Sequence, residues 1–362
     1  MIYLDHAATT PICEAAQKVI IDHFDEFGNP SSVHELGRNA RLLIEDARER
    51  IAKCINAEPN EIYFCSCGSE ANTLAINEQQ PRTVSSTFEH HSLRAMHHIL
   101  TVDRDGFIEL GKLHSHMESW FVQIVSCMAV NNEIGTIQPI KELADIAHQY
   151  GDVLFHTDAV QAMGHISIDV KDINCDMLSA SAHKFGGPKG VGFLYAKNGT
   201  PINPLICGGN QEGGVRPGTE NVLGILAMAA ALEDAVEHME ERTEYVKQLR
   251  DKMLDRLLKI KGSHLNGSLK NRVHSNINIR FDGVPGSRLV TLCSLYNICI
   301  SAGSACNSGV AQPSHVLKAI GLSDEDALNS VRITIGHENT EDEIIQAANI
   351  ITGLVERIRA EE

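Results

Sequence analysis

Between about residues 40 and 240, apolar positions gather into short runs that end in polar or small residues, and helical patterns fill the gaps. EIYFCSC, TVSSTFEH, FVQIVSCMAV, VLFHTDAV and CDMLSASAH each read as a strand, and stretches such as IKELADIAHQYG read as helices between them. This alternation predicts parallel strands joined by crossover helices. Ligands of such sheets bind at the carboxyl ends of the strands. Ser69, Glu70, His90, Asn131, Asn132, Asp158 and Lys184 all fall there.

After Pro217-Gly218 the pattern changes to one helical run over about 221–260, rich in Ala, Glu, Leu and Lys. It is too long for an ordinary helix of one domain, and is expected to bridge to a second unit. That unit reads as α+β, with strands at SNINIRF, before Cys306 and at SVRITIG, and a helix at RLVTLCSLY. A capping box, Thr340 with Glu343 three residues on, predicts where the last helix starts.

Composition narrows the class. A chain of 362 residues, 43% hydrophobic, can bury a large core, and its length favours two domains. A net charge of -16, from 31 basic and 47 acidic residues, argues against a dedicated nucleic-acid or anionic-membrane binder. No run reaches the length of a membrane span, and MIYLDHAATT lacks the basic-then-apolar form of a secretory signal. A soluble cytoplasmic protein is expected. Ten cysteines without regular spacing do not suggest a disulfide framework, and Cys127 in QIVSCMAV reads as a small buried hydrophobe. Cys65 and Cys67 form a C-x-C pair, and His90-His91 and the HSH at 114–116 are histidine clusters, but no metal is assigned to either.

The chemistry centres on SASAHKFGGPKGVG, which contains Lys184. A nucleotide P-loop needs a different glycine spacing and a hydroxyl residue after the lysine. Ser181 to Lys184 matches S-x-x-K in form, but that motif needs a helix and companion motifs that are missing here. A Schiff base to pyridoxal phosphate needs a lysine, a carboxylate for the ring nitrogen, a phosphate cradle and a plane against the ring. Asp158 at a strand end, Gly68-Ser69 at a strand-to-helix turn and His90 supply candidates. Taken singly, each has a plain structural reading: helix cap, turn, surface histidine.

With HTDAVQAMG, SASAHKFGGPKGVG, AVNNEIGTIQPI, VRPGTEN, FGNPSSVH and SAGSACNSG, nearly the whole chain resembles the cysteine desulfurases of the NifS/IscS type. These are class V aminotransferases among the fold-type I pyridoxal-phosphate enzymes. The resemblance implies the aspartate aminotransferase-like α/β fold. Residues 12–240 would form a large, mainly parallel-sheet domain, and 1–11 with 241–362 a small α+β domain. It implies Lys184 as the cofactor lysine, Asp158 on the ring nitrogen, Gln161 on the ring hydroxyl and His90 stacked on the ring. Gly68, Ser69, Ser181 and His183 match phosphate-side positions. Thr219 matches a residue reaching the neighbouring subunit's phosphate, which implies a homodimer. Asn132 and Arg332 match the holders of the substrate carboxylate. Cys306 matches the thiol that takes sulfur from L-cysteine, leaving alanine and a persulfide. Lys184 would then move the Cα proton and His90 shuttle protons. Independently, the small polar stretch from Ser301 to Ser314 reads as an exposed loop suited to carrying such a thiol.

The persulfide's expected destination is an acceptor protein of iron–sulfur cluster assembly or of tRNA or thiamin sulfur trafficking. The chain stops at Glu362 just after its last helix, so docking of a scaffold protein is less firmly expected than sulfur mobilisation. The alternatives are a selenocysteine lyase, an aminotransferase, and an idle partner-binding subunit. The last would be expected to lack Lys184, Asp158 or Cys306.

Overall fold

The computed structural model describes residues 1–77, 82–93, 98–303 and 312–361. In chain order the elements are β1 (Ile2–Tyr3), α1 (Glu14–Asp22), α2 (Glu35–Cys54), β2 (Ile62–Cys65), α3 (Gly68–Ile76), β3 (Thr83–Ser86), β4 (His98–Leu100) and α4 (Leu110–Ser119). Then come β5 (Ile124–Met128), α5 (Ile140–His148), β6 (Leu154–Asp158), α6 (Val170–Ile173), β7 (Met177–Ser181), β8 (Gly192–Ala196), α7 (Val222–Glu237) and α8 (Met239–Leu257). The chain closes with β9 (Ser263–Leu265), β10 (Asn276–Phe281), α9 (Gly286–Leu295), β11 (Ile298–Cys299), β12 (Ser301–Ala302), α10 (His315–Ala319), α11 (Asp324–Leu328), β13 (Ser330–Thr334) and α12 (Glu341–Glu361).

All five strands expected in the first half are present. They lie in a seven-stranded sheet of order β2-β8-β7-β6-β5-β3-β4. The pairs from β7 through β6, β5 and β3 to β4 are parallel, whereas β8 runs antiparallel between β7 and β2. Its strands are continuous apolar runs rather than alternating ones because helices cover both faces, and every residue of β5, β7 and β8 is buried. A four-stranded antiparallel sheet, β12-β13-β10-β9, forms the second layer system.

The helical run over 221–260 is two helices, not one, divided at His238 (φ -100°, ψ 9°). No glycine or proline marks the break; the two halves bury their apolar faces in different places. Val222, Ile225 and Leu226 of α7 join the core around the large sheet, and Val246, Leu249 and Met253 of α8 join the core beneath the small sheet. The capping box at the start of α12 forms as expected, with Thr340 N donating to Glu343 Oε2 at 3.0 Å and Glu343 N to Thr340 Oγ1 at 3.3 Å.

Candidate active site

The carboxyl ends of β5, β6 and β7 open into a cleft of about 330 Å³. Asp158 is the last residue of β6 and Ser181 the last of β7, while Lys184 sits on the turn that follows. Gly68, Ser69, His90, Asn132, Gln161, His183 and Arg332 line the same cleft. Thr219 does not reach it: it is exposed, in a separate depression beside Arg216 and Glu220. Cys306 lies outside the described residues.

On one side the cleft can receive an anion. Helix α3 begins at Gly68 with no side chain capping it, so its first N–H groups are free. A Cβ at Gly68 would stand 2.6 Å from Val160 Cγ2, which fixes glycine where the backbone must come close. His183 Nδ1 lies 3.1 Å from Thr9 Oγ1. Burial and the neighbouring Lys184 push the His183 imidazole down to about 4, so it is neutral near pH 7. A phosphate there would rest on N–H groups and hydroxyls, not on a histidine charge.

The floor of the cleft holds a carboxylate. Asp158 is 4% exposed; Asn72 Nδ2 donates to its Oδ2 at 2.7 Å and Val160 N to its Oδ1 at 3.0 Å. The same Asn72 amide donates to Ser92 Oγ at 3.0 Å, and Ser92 Oγ lies 2.8 Å from His90 Nδ1. Ser92 N also donates to His90 Nδ1, at 3.2 Å. The Ser92 N–H asks Nδ1 to accept, which in the neutral ring leaves the proton on Nε2. Behind Asp158 the buried Glu89 accepts from Met128 N at 3.0 Å and from Ser86 Oγ. Burial, reinforced by the Asp158 charge, pushes Glu89 up to about 8. Glu89 is therefore mostly protonated at neutrality.

The third wall is the N-terminal segment Asp5–Thr10, which crosses the sheet edge as a strap. Lys184 Nζ donates to Ala7 O at 2.6 Å and Ala8 O at 2.8 Å, and Gln161 Nε2 donates to Ala7 O at 2.9 Å. Burial, followed by the Arg332 charge, lowers the Lys184 ammonium to about 8. With the ammonium lowered to about 8, roughly a tenth of it is free amine at pH 7, far more than an ordinary lysine offers as nucleophile or base. Arg332 Nη1 donates to Asn132 O and Nη2 to Asp5 Oδ1, both at 2.9 Å. Its Nε is buried without a partner among the described residues.

Sequence reasoning missed Asn72, Ser92, Glu89 and the strap. Asn72 stands one helical turn beyond Gly68, so its facing the same cleft could have been read from spacing. The strap acts through alanine carbonyls, which no residue type advertises.

These groups fit a pyridoxal phosphate: the buried carboxyl of Asp158 at the floor, uncapped N–H groups for the phosphate and an amine of lowered affinity for protons. Comparisons with known proteins agree with this. Residues 2–346 match the family model Aminotransferase class-V. Cysteine desulfurase IscS of Dictyoglomus turgidum is 42% identical, over 99% of this chain and 95% of its own. A solved structure described as a NifS-like protein superposes with a TM-score of 0.90 at 34% identity, covering 98% of this chain and 99% of that one. Another, described as SspA in complex with cysteine, gives a TM-score of 0.79 at 32% identity, covering 94% and 100%.

Proposed function

The chain belongs to the class-V aminotransferase family, and we propose that it acts as a pyridoxal-phosphate-dependent cysteine desulfurase, taking sulfur from L-cysteine and releasing L-alanine. The observation that carries this is the convergence of Lys184, Asp158, Gln161, His90, Asn132 and Arg332 on one cleft. The cofactor, when bound, supplies an electron sink for the carbanion formed at the substrate Cα.

The residues act as follows. Asp158, oriented by hydrogen bonds from Asn72 Nδ2 and Val160 N, would pair with the ring nitrogen. Gln161 would orient the ring from its hydroxyl side, and Gly68, Ser69, Ser181 and His183 would hold the phosphate. Lys184 would anchor the cofactor and then serve as the base that moves the Cα proton. His90 carries its proton on Nε2 and lines the cleft, which suits a shuttle between substrate and leaving group. Arg332 and Asn132 hold the substrate carboxylate. Cys306, as thiolate, attacks the substrate sulfur: the new S–S bond forms as the C–S bond breaks, its electrons remaining with the carbon skeleton that becomes alanine. The persulfide then passes to an acceptor protein of iron–sulfur cluster assembly or of tRNA or thiamin sulfur trafficking, in the cytoplasm.

We further propose a homodimer in which Thr219 of each subunit reaches the other's phosphate. Thr219 is exposed and does not line its own cleft, and the early chain exposes the apolar Ile21 (74%), Phe24 (73%) and Phe27 (81%). The division into a cofactor-binding unit, 12–240, and a second unit, 1–11 with 241–362, is supported by the second core. That core draws Ile2 and Leu4 together with residues from Val246 to Ile358. No helix among the described residues is long and apolar enough to cross a membrane.

Turnover of the cofactor-loaded protein tests the activity. L-cysteine should give alanine and, with a thiol reductant, equimolar sulfide. Transfer of the amino group to a 2-oxo acid without sulfide would replace the reading with an aminotransferase, and turnover of selenocysteine but not cysteine with a selenocysteine lyase.

A further inference from the structure

Helix α3 brings its free N–H groups to the phosphate side of the cleft, yet its first turn already carries a carboxylate. Glu70 stands two residues after Gly68, and its Oε2 accepts from Ser66 N at 2.6 Å, back across the turn that joins β2 to α3. Its Oε1 accepts from Arg216 Nε at 2.9 Å, and the two side chains are only 19% and 25% exposed. Burial would raise the Glu70 carboxyl, but its bonds to Ser66 and Arg216 outweigh this and lower it, so it is charged near neutrality.

That carboxylate has two effects of opposite sign. Its bond to Ser66 N braces the turn from which the Gly68 and Ser69 N–H groups project. Its charge, however, competes for the positive end of α3 and repels a phosphate brought to the same place. Arg216 cancels the charge from Oε1 while Oε2 keeps its hold on the turn. The arginine is placed from elsewhere, by the loop between β8 and α7. Glu212 of that loop accepts from Arg48 Nη1 and Nη2, both at 2.8 Å, and from Phe64 N at 2.9 Å. These three bonds hold Glu212 at φ +48°, a left-handed backbone uncommon for glutamate. Arg48 and Glu212 match each other, which leaves Arg216 to match Glu70.

We propose that Arg216 is a positioning residue for the phosphate end of the cofactor, masking the charge of Glu70 so that the turn Glu70 braces can receive a phosphate. The proposal rests on the reading of Gly68 and Ser69 as the phosphate cradle.

The cofactor-free full chain is titrated with pyridoxal phosphate and with pyridoxal, which lacks the phosphate, and binding is followed by absorbance. Arg216→Gln should weaken pyridoxal phosphate roughly tenfold, the scale of one charge acting through a partly solvated site, and leave pyridoxal unchanged. The loss should shrink as salt is raised, because the uncovered Glu70 charge is open to screening. Glu70→Gln alone leaves the Arg216 charge uncovered and should bind pyridoxal phosphate more tightly than the wild type. Arg216→Gln with Glu70→Gln keeps an oxygen for Ser66 N, removes both charges and should return the affinity to near the wild-type value. A displaced loop would not be repaired by that second substitution. The masking role is overturned if the double variant binds no better than Arg216→Gln, if Arg216→Gln weakens both ligands alike or neither, or if Glu70→Gln weakens pyridoxal phosphate. If the wild type binds pyridoxal as tightly as pyridoxal phosphate, the cradle reading itself fails.

Discussion

Two regions meet at Lys184 and work in opposite ways. The carboxyl edge of the large sheet contributes side chains: Asp158 at the end of β6, Ser181 at the end of β7, and His90 beyond β3. The strap Asp5–Thr10 contributes mostly backbone, and its two alanine carbonyls carry the Lys184 ammonium. On the sheet edge, residue type is the function. On the strap, position is the function, and position is set by ties made some 330 residues away in sequence, at Arg332, Thr334 and Glu338.

The comparison can be broken from either side. The larger effect belongs to the sheet edge. Asp158→Asn removes the charge that keeps the ring nitrogen protonated, and activity with L-cysteine should fall by about 10²-fold or more. The neutral Glu89 behind it cannot substitute, because it is protonated up to about pH 8 and faces Ser86 and Met128 N. A variant retaining more than a tenth of wild-type activity would show that the floor charge matters less than the geometry around it.

A smaller effect should follow from a change that touches no cleft residue. Gly336 lies behind the strap, and a Cβ there would stand 2.2 Å from His6 Nε2 and 2.3 Å from Glu338 Oε2. Gly336→Ala therefore parts the His6–Glu338 tie, at an overpacking cost of about 1–3 kcal/mol. Loss of roughly tenfold in kcat, with the cofactor still bound, is expected from misplacing Ala7 O by a fraction of an ångström. Wild-type kcat at a lowered thermal midpoint would assign the strap a structural role alone.

This contrast also explains what the sequence could and could not convey. Strand positions were legible because buried parallel strands are continuous apolar runs, and the chemistry at their ends because lysine, aspartate and histidine beside glycine-rich turns are unusual company. The chain's membership in its family followed from the same residues. The strap was not legible, since DHAATT contains no residue whose type announces a carbonyl acceptor. Neither was the break at His238, where the sequence continues as helix and only the change of core, from Leu226 and its neighbours to Leu249 and its neighbours, turns the chain. Arg48 is a further case: it is buried against Glu212, with Nη1 and Nη2 each donating to a carboxylate oxygen at 2.8 Å, a pairing over 164 positions that periodicity cannot suggest.

The central claim is that Lys184 and its cleft prepare the substrate while Cys306 takes its sulfur. Cys306→Ala, loaded with pyridoxal phosphate and mixed with L-cysteine, tests the division directly when visible absorbance and alanine are followed together. The account predicts that the cofactor's absorbance is intact and still changes on adding L-cysteine, while alanine and sulfide are not formed. Alanine and sulfide appearing at the wild-type rate would contradict it.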